Sequence, residues 1–266
     1  MQLSALVLFA VMSPFCCSVV SAQEATIPKT VTVVYDNYPF KKGLQTAWGF
    51  SCLVRGWGKT ILFDTGGDGR LLLSNMGGLG INPREIDMVV LSHIHGDHVG
   101  GLASLLQQHH GLTVFVPPSF PGDFKKGVRG FGARLQEVED FMELCPGVYS
   151  TGEMGTWIKE QALILRSSQG LIVITGCAHP GVVKIVEAVR AHFTKDILLV
   201  MGGFHLMGED RKGLQRIIAR FRELGVKHVG PCHCSGDGAR RLFQEVYGNA
   251  FVPVGVGMEI KINELK

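Results

Sequence analysis

Three histidines and one aspartate fall within residues 93–98, and this short stretch limits the chemistry of the chain more than any other. The apolar run of residues 88–91 before it predicts a buried strand, and residues 102–109 after it predict a helix. Side chains that can bind metal are therefore concentrated where a strand ends. A solvated loop without metal is the alternative, but the flanking strand and helix favour a metal site.

The spacing of these side chains divides them between two metal ions. Residues two apart in extended backbone project to the same side, so His93 and His95 can bind a first ion together. A bend at Gly96 would turn Asp97 and His98 toward a second ion close by. Imidazole nitrogen and carboxylate oxygen suit zinc, and also iron or manganese. We therefore expect two divalent metal ions, with zinc as the first choice.

Three later histidines follow predicted strands at residues 171–175, 197–201 and 226–230. Because strand ends at one edge of a sheet converge, we expect His179, His205 and His233 to meet the first motif. His179 is expected to be the third ligand of the first ion, and His233 the third ligand of the second. His205 is then free to contact substrate, although His205 and His233 can exchange these roles.

The motif of residues 93–98 follows a strand and has Phe-Asp-Thr-Gly upstream at residues 63–66, and in both respects it resembles the metallo-β-lactamase superfamily. The resemblance extends from about residue 30 to the C-terminus. It implies an α/β fold, a four-layer αβ/βα sandwich of two mixed β-sheets flanked by helices. It also implies that the metals lie at one edge of the two facing sheets.

The resemblance implies roles for two further residues. Asp64 would support the metal-binding loop as an outer carboxylate, while an aspartate that caps a glycine-rich turn is the alternative. Many members carry an aspartate that bridges both metals, at the position where this chain has Cys177. Cys177 is therefore either a thiolate ligand or a small residue packed beside the metals.

Residues 175–181, 202–206 and 233–236 together resemble one subgroup of the superfamily, often labelled dihydropterin-ribofuranosylaminobenzene-phosphate synthases of the methanopterin pathway. The substrate of that subgroup is not carried over with its fold, because a signal peptide disagrees with cytoplasmic cofactor synthesis.

Two metal ions predict a metal-dependent hydrolase that acts on an ester, amide, lactone or phosphoester. Asp97 would orient the attacking water and take its proton, and His205 would donate a proton to the oxyanion or leaving group. Three alternatives stay open. They are a methanopterin-type pterin or phosphoribosyl synthase, a β-lactamase, and a non-catalytic metal-binding or sensor protein.

Residues 1–22 are apolar, carry no charge and end in small residues, which predicts a secretory signal peptide and export to the periplasm or outside the cell. An uncleaved membrane anchor is the alternative, because the stretch is nearly long enough to span a bilayer. Cleavage would leave one metallo-β-lactamase-like domain at residues 30–266. It would also leave five cysteines, an odd number that requires at least one free or metal-bound thiol.

The net charge of +3 is small, and the lysines and arginines are scattered along the chain. We therefore expect a small-molecule substrate, no nucleic-acid partner and no stable membrane insertion after signal cleavage. The oligomeric state is left open. The remaining histidines are interpreted as structural: His109, His110, His192 and His228.

Two other segments allow a functional interpretation. Cys232-x-Cys234 resembles half of a zinc knuckle, but the second pair of ligands is absent at the usual spacing. Residues 119–134 are rich in glycine, lysine, phenylalanine and proline, which predicts a long loop. This loop is a candidate lid over the site, or else a surface excursion. Its possible substrate walls are Phe120, Phe124 and Phe131.

Overall fold

The computed structural model describes residues 27–265 and arranges them in two stacked β-sheets with helices on both outer faces. The first sheet has seven strands in the order β13-β1-β2-β3-β4-β5-β6. These strands are β1 (Thr30–Tyr35), β2 (Ser51–Arg55), β3 (Ile61–Phe63), β4 (Met88–Val90), β5 (Thr113–Val116), β6 (Arg134–Glu137) and β13 (Glu259–Lys261).

The second sheet has six strands in the order β12-β11-β10-β9-β8-β7. These strands are β7 (Met142–Cys145), β8 (Val148–Ser150), β9 (Leu163–Arg166), β10 (Leu171–Thr175), β11 (Ile197–Gly203) and β12 (His228–Cys232). The helices are α1 (Gly69–Gly78), α2 (Gly96–Val99), α3 (Leu102–Gln108), α4 (Gly122–Gly130), α5 (Val182–His192), α6 (Arg211–Glu223) and α7 (Asp237–Tyr247).

Both sheets are mixed, and their parallel strands place the site. Strands β3, β4, β5 and β6 run parallel, as do β10, β11 and β12. The other pairs are antiparallel, including the hairpins β2–β3 and β9–β10. Since parallel strands end at the same edge, the loops that follow them are gathered at one side of the molecule.

The apolar pattern of the strands explains the layers. In β4, Met88 and Val90 face the second sheet, whereas Val89 packs under the helices of the first sheet. A strand covered on both faces needs no polar residue, which is why it reads as an unbroken apolar run. The helices α5, α6 and α7 cover the second sheet in the same way, through residues such as Val186, Ile218 and Phe243. The predicted αβ/βα sandwich is confirmed.

The prediction of a long loop at residues 119–134 is wrong, because this segment contains the helix α4 and leads into β6. Phe120 is buried and Phe124 packs against it, with ring centroids 5.2 Å apart, both in the core under the first sheet. Phe131 ends the helix and is partly exposed. None of the three lines the cleft beside the histidines described below.

Within residues 27–265, no helix is both long enough and apolar enough to cross a membrane. The predicted signal peptide at residues 1–22 lies outside the described residues.

Candidate metal centre

The predicted site residues lie at one edge of the sandwich, in the loops that follow β3, β4, β10, β11 and β12. The convergence expected for these strand ends is observed, because side chains from all the predicted histidine positions come within a few ångströms of one another. The turn into the first motif is also as expected, since α2 begins at Gly96.

The first cluster consists of His93, His95 and His179. One ring nitrogen from each residue lies within 4.8 Å of those from the other two. The Nε2 atom of His93 is 3.1 Å from the Nδ1 atom of His95. Among the described residues, the buried Nε2 atom of His179 has no hydrogen-bond partner. Nitrogen lone pairs that face a common point, one of them without a partner, fit a bound cation.

The second cluster consists of Asp97, His98 and His233, again with donor atoms within 4.8 Å of one another. The Nε2 atoms of His98 and His233 are 3.2 Å apart. The Oδ2 atom of Asp97 lies 3.3 Å from His233 Nε2 and 3.6 Å from His98 Nε2. Two imidazoles and one carboxylate are the donor types of a catalytic zinc site, so this cluster also fits a divalent metal.

Cys177 lies between the two clusters. Its Sγ atom is 3.2 Å from His98 Nε2, and it forms a further group within 4.8 Å with His93 and His98, one histidine from each cluster. Cys177 is only 4% exposed. This position allows one sulfur to reach both clusters.

The second nitrogen of several ring side chains is held by a partner outside the clusters. Asp64 Oδ2 is 2.7 Å from His98 Nδ1, and the Asp64 carboxylate also accepts bonds from the backbone N–H and the hydroxyl of Ser92. The Ser92 hydroxyl lies 2.9 Å from His93 Nδ1. A carboxylate on Nδ1 leaves the Nε2 lone pair of His98 free for a metal, as the outer role of Asp64 requires.

His233 is oriented by Asn37, a residue that the sequence analysis passed over. Asn37 Oδ1 lies 3.1 Å from His233 Nδ1, and Asn37 Nδ2 donates to the His233 carbonyl oxygen at 3.4 Å. The ring of Trp48 packs on His233 with centroids 4.7 Å apart. Asn37 and Trp48 lie in the segment between β1 and β2, which carries no local motif that would predict their contact with His233.

Glu160 fixes the loop that carries Cys177 and His179, and it too was missed. Its Oε1 atom accepts the backbone N–H groups of Gly176, Cys177 and Ala178 at 2.9–3.0 Å, and its Oε2 atom accepts that of His179 at 2.9 Å. The side chain is 1% exposed. One carboxylate therefore satisfies four successive amides that would otherwise be unpaired.

The described non-glycine residues with positive φ are all at this edge: Asp64 (φ 55°), Ala178 (59°), His205 (54°) and His233 (47°). A left-handed conformation costs an L-residue about 1 kcal/mol and persists only where the surroundings hold it. The hydrogen bonds described above provide that support at Asp64 and Ala178. Such residues commonly mark functional sites.

Burial keeps two histidines of the first cluster neutral. Burial lowers the pKa of His93 well below its usual value, and the neighbouring histidines add to this effect. Burial, together with the charge of His205, lowers the pKa of His179 to about 4. A neutral imidazole is the form that binds a metal, so this cluster is ready for one near neutral pH.

The second cluster contains a charged carboxylate. Burial alone would raise the pKa of Asp97, but the hydrogen bond from His233 and the charge of His98 outweigh it and hold the pKa well below its usual range. Burial would lower the pKa of His98, yet the charge and hydrogen bond of Asp64 raise it. Asp97 is therefore ionised at any physiological pH, as a ligand must be.

His205 stands at the rim of the centre, beside a cleft of about 470 Å³. Its ring centroid is 4.5 Å from that of His179, and the side chain is exposed. A hydrogen bond with Cys234 raises the pKa of His205. The cleft is also lined by Trp157, which is 94% exposed, and by Lys184. A second cleft of about 490 Å³ lies beside β13 and contains none of the predicted site residues.

The residues interpreted as structural lie elsewhere or face away. His192 stacks on Phe141 with ring centroids 4.0 Å apart. Cys232 is fully buried and bonds to Asp36, whereas Cys234 faces Cys177, so the pair does not form a zinc knuckle. The cysteines of the described chain are all free thiols.

Several known proteins are similar to this chain. A 7,8-dihydropterin-6-methyl-4-(beta-D-ribofuranosyl)-aminobenzene-5'-phosphate synthase of Methanocaldococcus jannaschii is 28% identical, over 88% of this chain and 96% of its own. The structure of Tm1679, described as a metal-dependent hydrolase of the beta-lactamase superfamily, has a TM-score of 0.75 at 27% identity, over 87% of this chain and 98% of its own.

The short form of human tRNase Z has a TM-score of 0.58 at 15% identity, over 88% of this chain and 99% of its own, which is a likeness of fold alone. The family model of the metallo-beta-lactamase superfamily matches residues 49–193, more than half of the chain. The chain belongs to that superfamily.

Proposed function

We propose that this protein is a metal-dependent hydrolase with a dinuclear metal centre, acting on an ester, amide, lactone or phosphoester. The observation that carries the proposal is the pair of three-residue donor clusters, together with the unpartnered Nε2 atom of His179. Members of the superfamily typically bind divalent metals. The proposed ligands are His93, His95 and His179 for the first ion and Asp97, His98 and His233 for the second.

The donor chemistry favours zinc as the native metal, because Cys177 adds a soft sulfur to imidazole and carboxylate. When bound, two such ions lower the pKa of a water and stabilise negative charge on the substrate. Cys177 is proposed as a ligand in place of the bridging aspartate that many relatives carry.

Asp97 and His205 are proposed to handle protons on opposite sides of the substrate. Asp97 is ionised and partly exposed, so its free oxygen can orient a water and accept its proton. His205 faces the cleft and has a raised pKa, so near neutral pH it can donate a proton to a leaving group. His179 cannot donate a proton in this way, because its pKa of about 4 keeps it neutral near neutral pH.

The cleft beside His205 is proposed to hold a small-molecule substrate. Lys184 places a positive charge on its wall, and Trp157 offers an exposed aromatic face. Similarity to human tRNase Z is one of fold alone, whereas a ribonuclease Z of Nanoarchaeum equitans is 33% identical over 52% of this chain, so the absence of a nucleic-acid partner stays a prediction.

Metal content measured after purification without chelator tests the ligand assignment. The wild-type protein should hold two metals per chain, while His179→Ala and His233→Ala should each hold one. His110→Ala changes an exposed histidine outside the clusters and serves as the control. Protein that binds no metal at all would rule out the dinuclear centre, and ligand variants that keep both metals would rule out the ligand assignment.

A substrate panel then tests the reaction class. Nitrophenyl esters and phosphoesters, acyl lactones and nitrocefin cover the proposed bonds and the β-lactamase alternative. Hydrolysis that disappears with chelator and returns with zinc supports the proposal. A metal-loaded protein that hydrolyses nothing on the panel would instead favour a binding or sensor role.

A synthase is the second candidate function. It is favoured by the similarity to the Methanocaldococcus jannaschii synthase over 88% of this chain. The same centre would then activate a pterin or phosphoribosyl substrate. Fluorescence titration with a dihydropterin separates the two, since a hydrolase of simple esters has no reason to bind the pterin ring tightly.

Export remains a proposal and rests on the uncharged apolar residues 1–22. Determining the N-terminus of the mature protein tests it, with a start near Gln23 expected.

A further inference from the structure

Cys177 and Cys234 face each other at the inner wall of the centre. The two sulfurs and a ring nitrogen of His205 lie within 4.8 Å of one another, and each cysteine is 4% exposed. Cys177 follows β10, and Cys234 lies in the turn after β12, 57 residues further on. The proposed metal centre uses Cys177 as a ligand, whereas Cys234 is not among the proposed ligands.

The fold brings these cysteines together across a glycine. Strand β11 lies between β10 and β12, and it ends at Gly203. A Cβ atom at Gly203 would lie 2.7 Å from Cys234 Sγ and 3.2 Å from the Cα atom of Cys177. The missing side chain at this position therefore opens the space through which the two sulfurs approach.

We propose that Cys177 and Cys234 form a reversible disulfide that withdraws Cys177 from the metal centre. A disulfide needs the two sulfurs, which lie within 4.8 Å of each other, to close to about 2.05 Å. The bond itself does not depend on the proposed function. Only its effect on the centre rests on Cys177 being a ligand.

The oxidant is a hydroperoxide, which is small enough to reach a nearly buried sulfur. Hydrogen peroxide transfers one oxygen to the sulfur of Cys234, giving a sulfenic acid and water. The sulfur of Cys177 then forms the S–S bond and displaces the hydroxyl, which leaves with the thiol proton as a second water. Two thiols lose two electrons in total, and one peroxide becomes two waters.

Metal binding and disulfide formation then exclude each other, because the Cys177 sulfur can serve only one of them at a time. Metal should protect the pair from peroxide, and the disulfide should lower metal affinity. Thermodynamic linkage requires that the disulfide lower metal affinity by the same factor by which bound metal lowers the equilibrium stability of the disulfide.

The test treats metal-loaded and metal-free wild-type protein with hydrogen peroxide, then counts thiols and maps disulfide-linked peptides. Metal-free protein should lose two thiols as a Cys177–Cys234 peptide pair and regain them with dithiothreitol. Metal-loaded protein should form the pair about tenfold more slowly. If the peptide pair forms in a protein that never binds metal, the disulfide proposal stands and the proposed function is refuted.

Two variants complete the experiment. Cys234→Ser should keep its metal after peroxide treatment, and it cannot form the pair. Cys145→Ser removes a partly buried thiol outside the centre and should behave as wild type. The proposal fails if the wild type forms no such peptide pair, or if reduced Cys234→Ser binds fewer metals than wild type, which would make Cys234 a ligand.

Discussion

A carboxylate that accepts four successive backbone amides has little freedom, and Glu160 holds Cys177 and His179 in place through such an arrangement. Sequence reasoning found the histidines because they form local motifs at strand ends. Glu160 and Asn37 were missed because they act on residues far away in the chain, through backbone groups or a single ring nitrogen. No spacing rule predicts such contacts, since they depend on how the two sheets stack.

Glu160→Gln should lower the free energy of unfolding by about 1–3 kcal/mol, because an amide NH₂ would face backbone N–H donors in a buried place. Urea unfolding of the metal-free protein measures the loss. The exposed strand residue Glu259 offers a matched control, since Glu259→Gln removes the same charge without a buried partner. Equal stability of both variants would mean that the hydrogen bonds of Glu160 to the four backbone amides contribute nothing to stability.

Asp64→Asn should weaken metal binding at the second cluster about 10–100-fold and at the first cluster less, because Asp64 reaches His93 only through Ser92. An asparagine NH₂ beside His98 Nδ1 would favour the tautomer that carries its proton on Nε2, which blocks the ligand lone pair. Competition with a chromophoric chelator gives both affinities. Asp87→Asn changes a partly exposed aspartate outside the centre and should leave them unaltered. Equal weakening of both clusters by Asp64→Asn would contradict the specific role given to this carboxylate.

Glycine plays opposite parts in two elements. In α4, Gly127 has open space around its Cα, so the composition that predicted a loop is compatible with a helix held by Phe124 and Val128. At the end of β10, a Cβ atom on Gly176 would collide with the Ser92 side chain and lie 3.0 Å from Asp64 Oδ2. Composition alone does not separate these cases, because the difference is in the neighbours.

Alanine substitution distinguishes the two elements. Gly127→Ala should raise the free energy of unfolding by about 0.5–1 kcal/mol, because alanine favours the helix. Gly176→Ala should lower it by about 1–3 kcal/mol, because the sheet edges must move apart. Thermal unfolding of both variants and of the wild type measures these changes in stability. A stable Gly176→Ala protein with full metal content would show that the edges adapt without cost.

The stability of the whole molecule should depend on pH through Asp36, a carboxyl buried behind the centre. Burial raises the pKa of Asp36 from 3.8 to about 6, so the folded protein binds this proton more tightly than the unfolded chain does. The stabilisation is complete below pH 3.8 and is lost as the pH rises through about 6, by about 3 kcal/mol in total.

Asp36→Asn should therefore gain about 3 kcal/mol relative to wild type between pH 4 and pH 7. Urea unfolding of both metal-free proteins across this range gives the difference. Metal must be absent, since nearby cations would themselves lower the pKa of Asp36. A difference that does not change with pH would mean that Asp36 titrates equally in both states.

Metal removal should destabilise the whole molecule, because each cluster joins the two sheets. The motif after β4 belongs to the first sheet, whereas His179 and His233 follow strands of the second. Metal at a thousandfold excess over its dissociation constant should add about 4 kcal/mol per site. Thermal unfolding with and without chelator measures this, and His110→Ala should respond as wild type does. An unchanged midpoint would contradict the bridging of the sheets.

The division of each cluster between the two sheets also bears on the order of events during synthesis. The residue that completes the second cluster, His233, is made 135 residues after His98. A nascent chain that ends after β6 carries two of the three donors of each cluster and can hold a metal only loosely. Tight retention of metal therefore reports that both halves of the chain have been made and have docked, and an interrupted chain releases it.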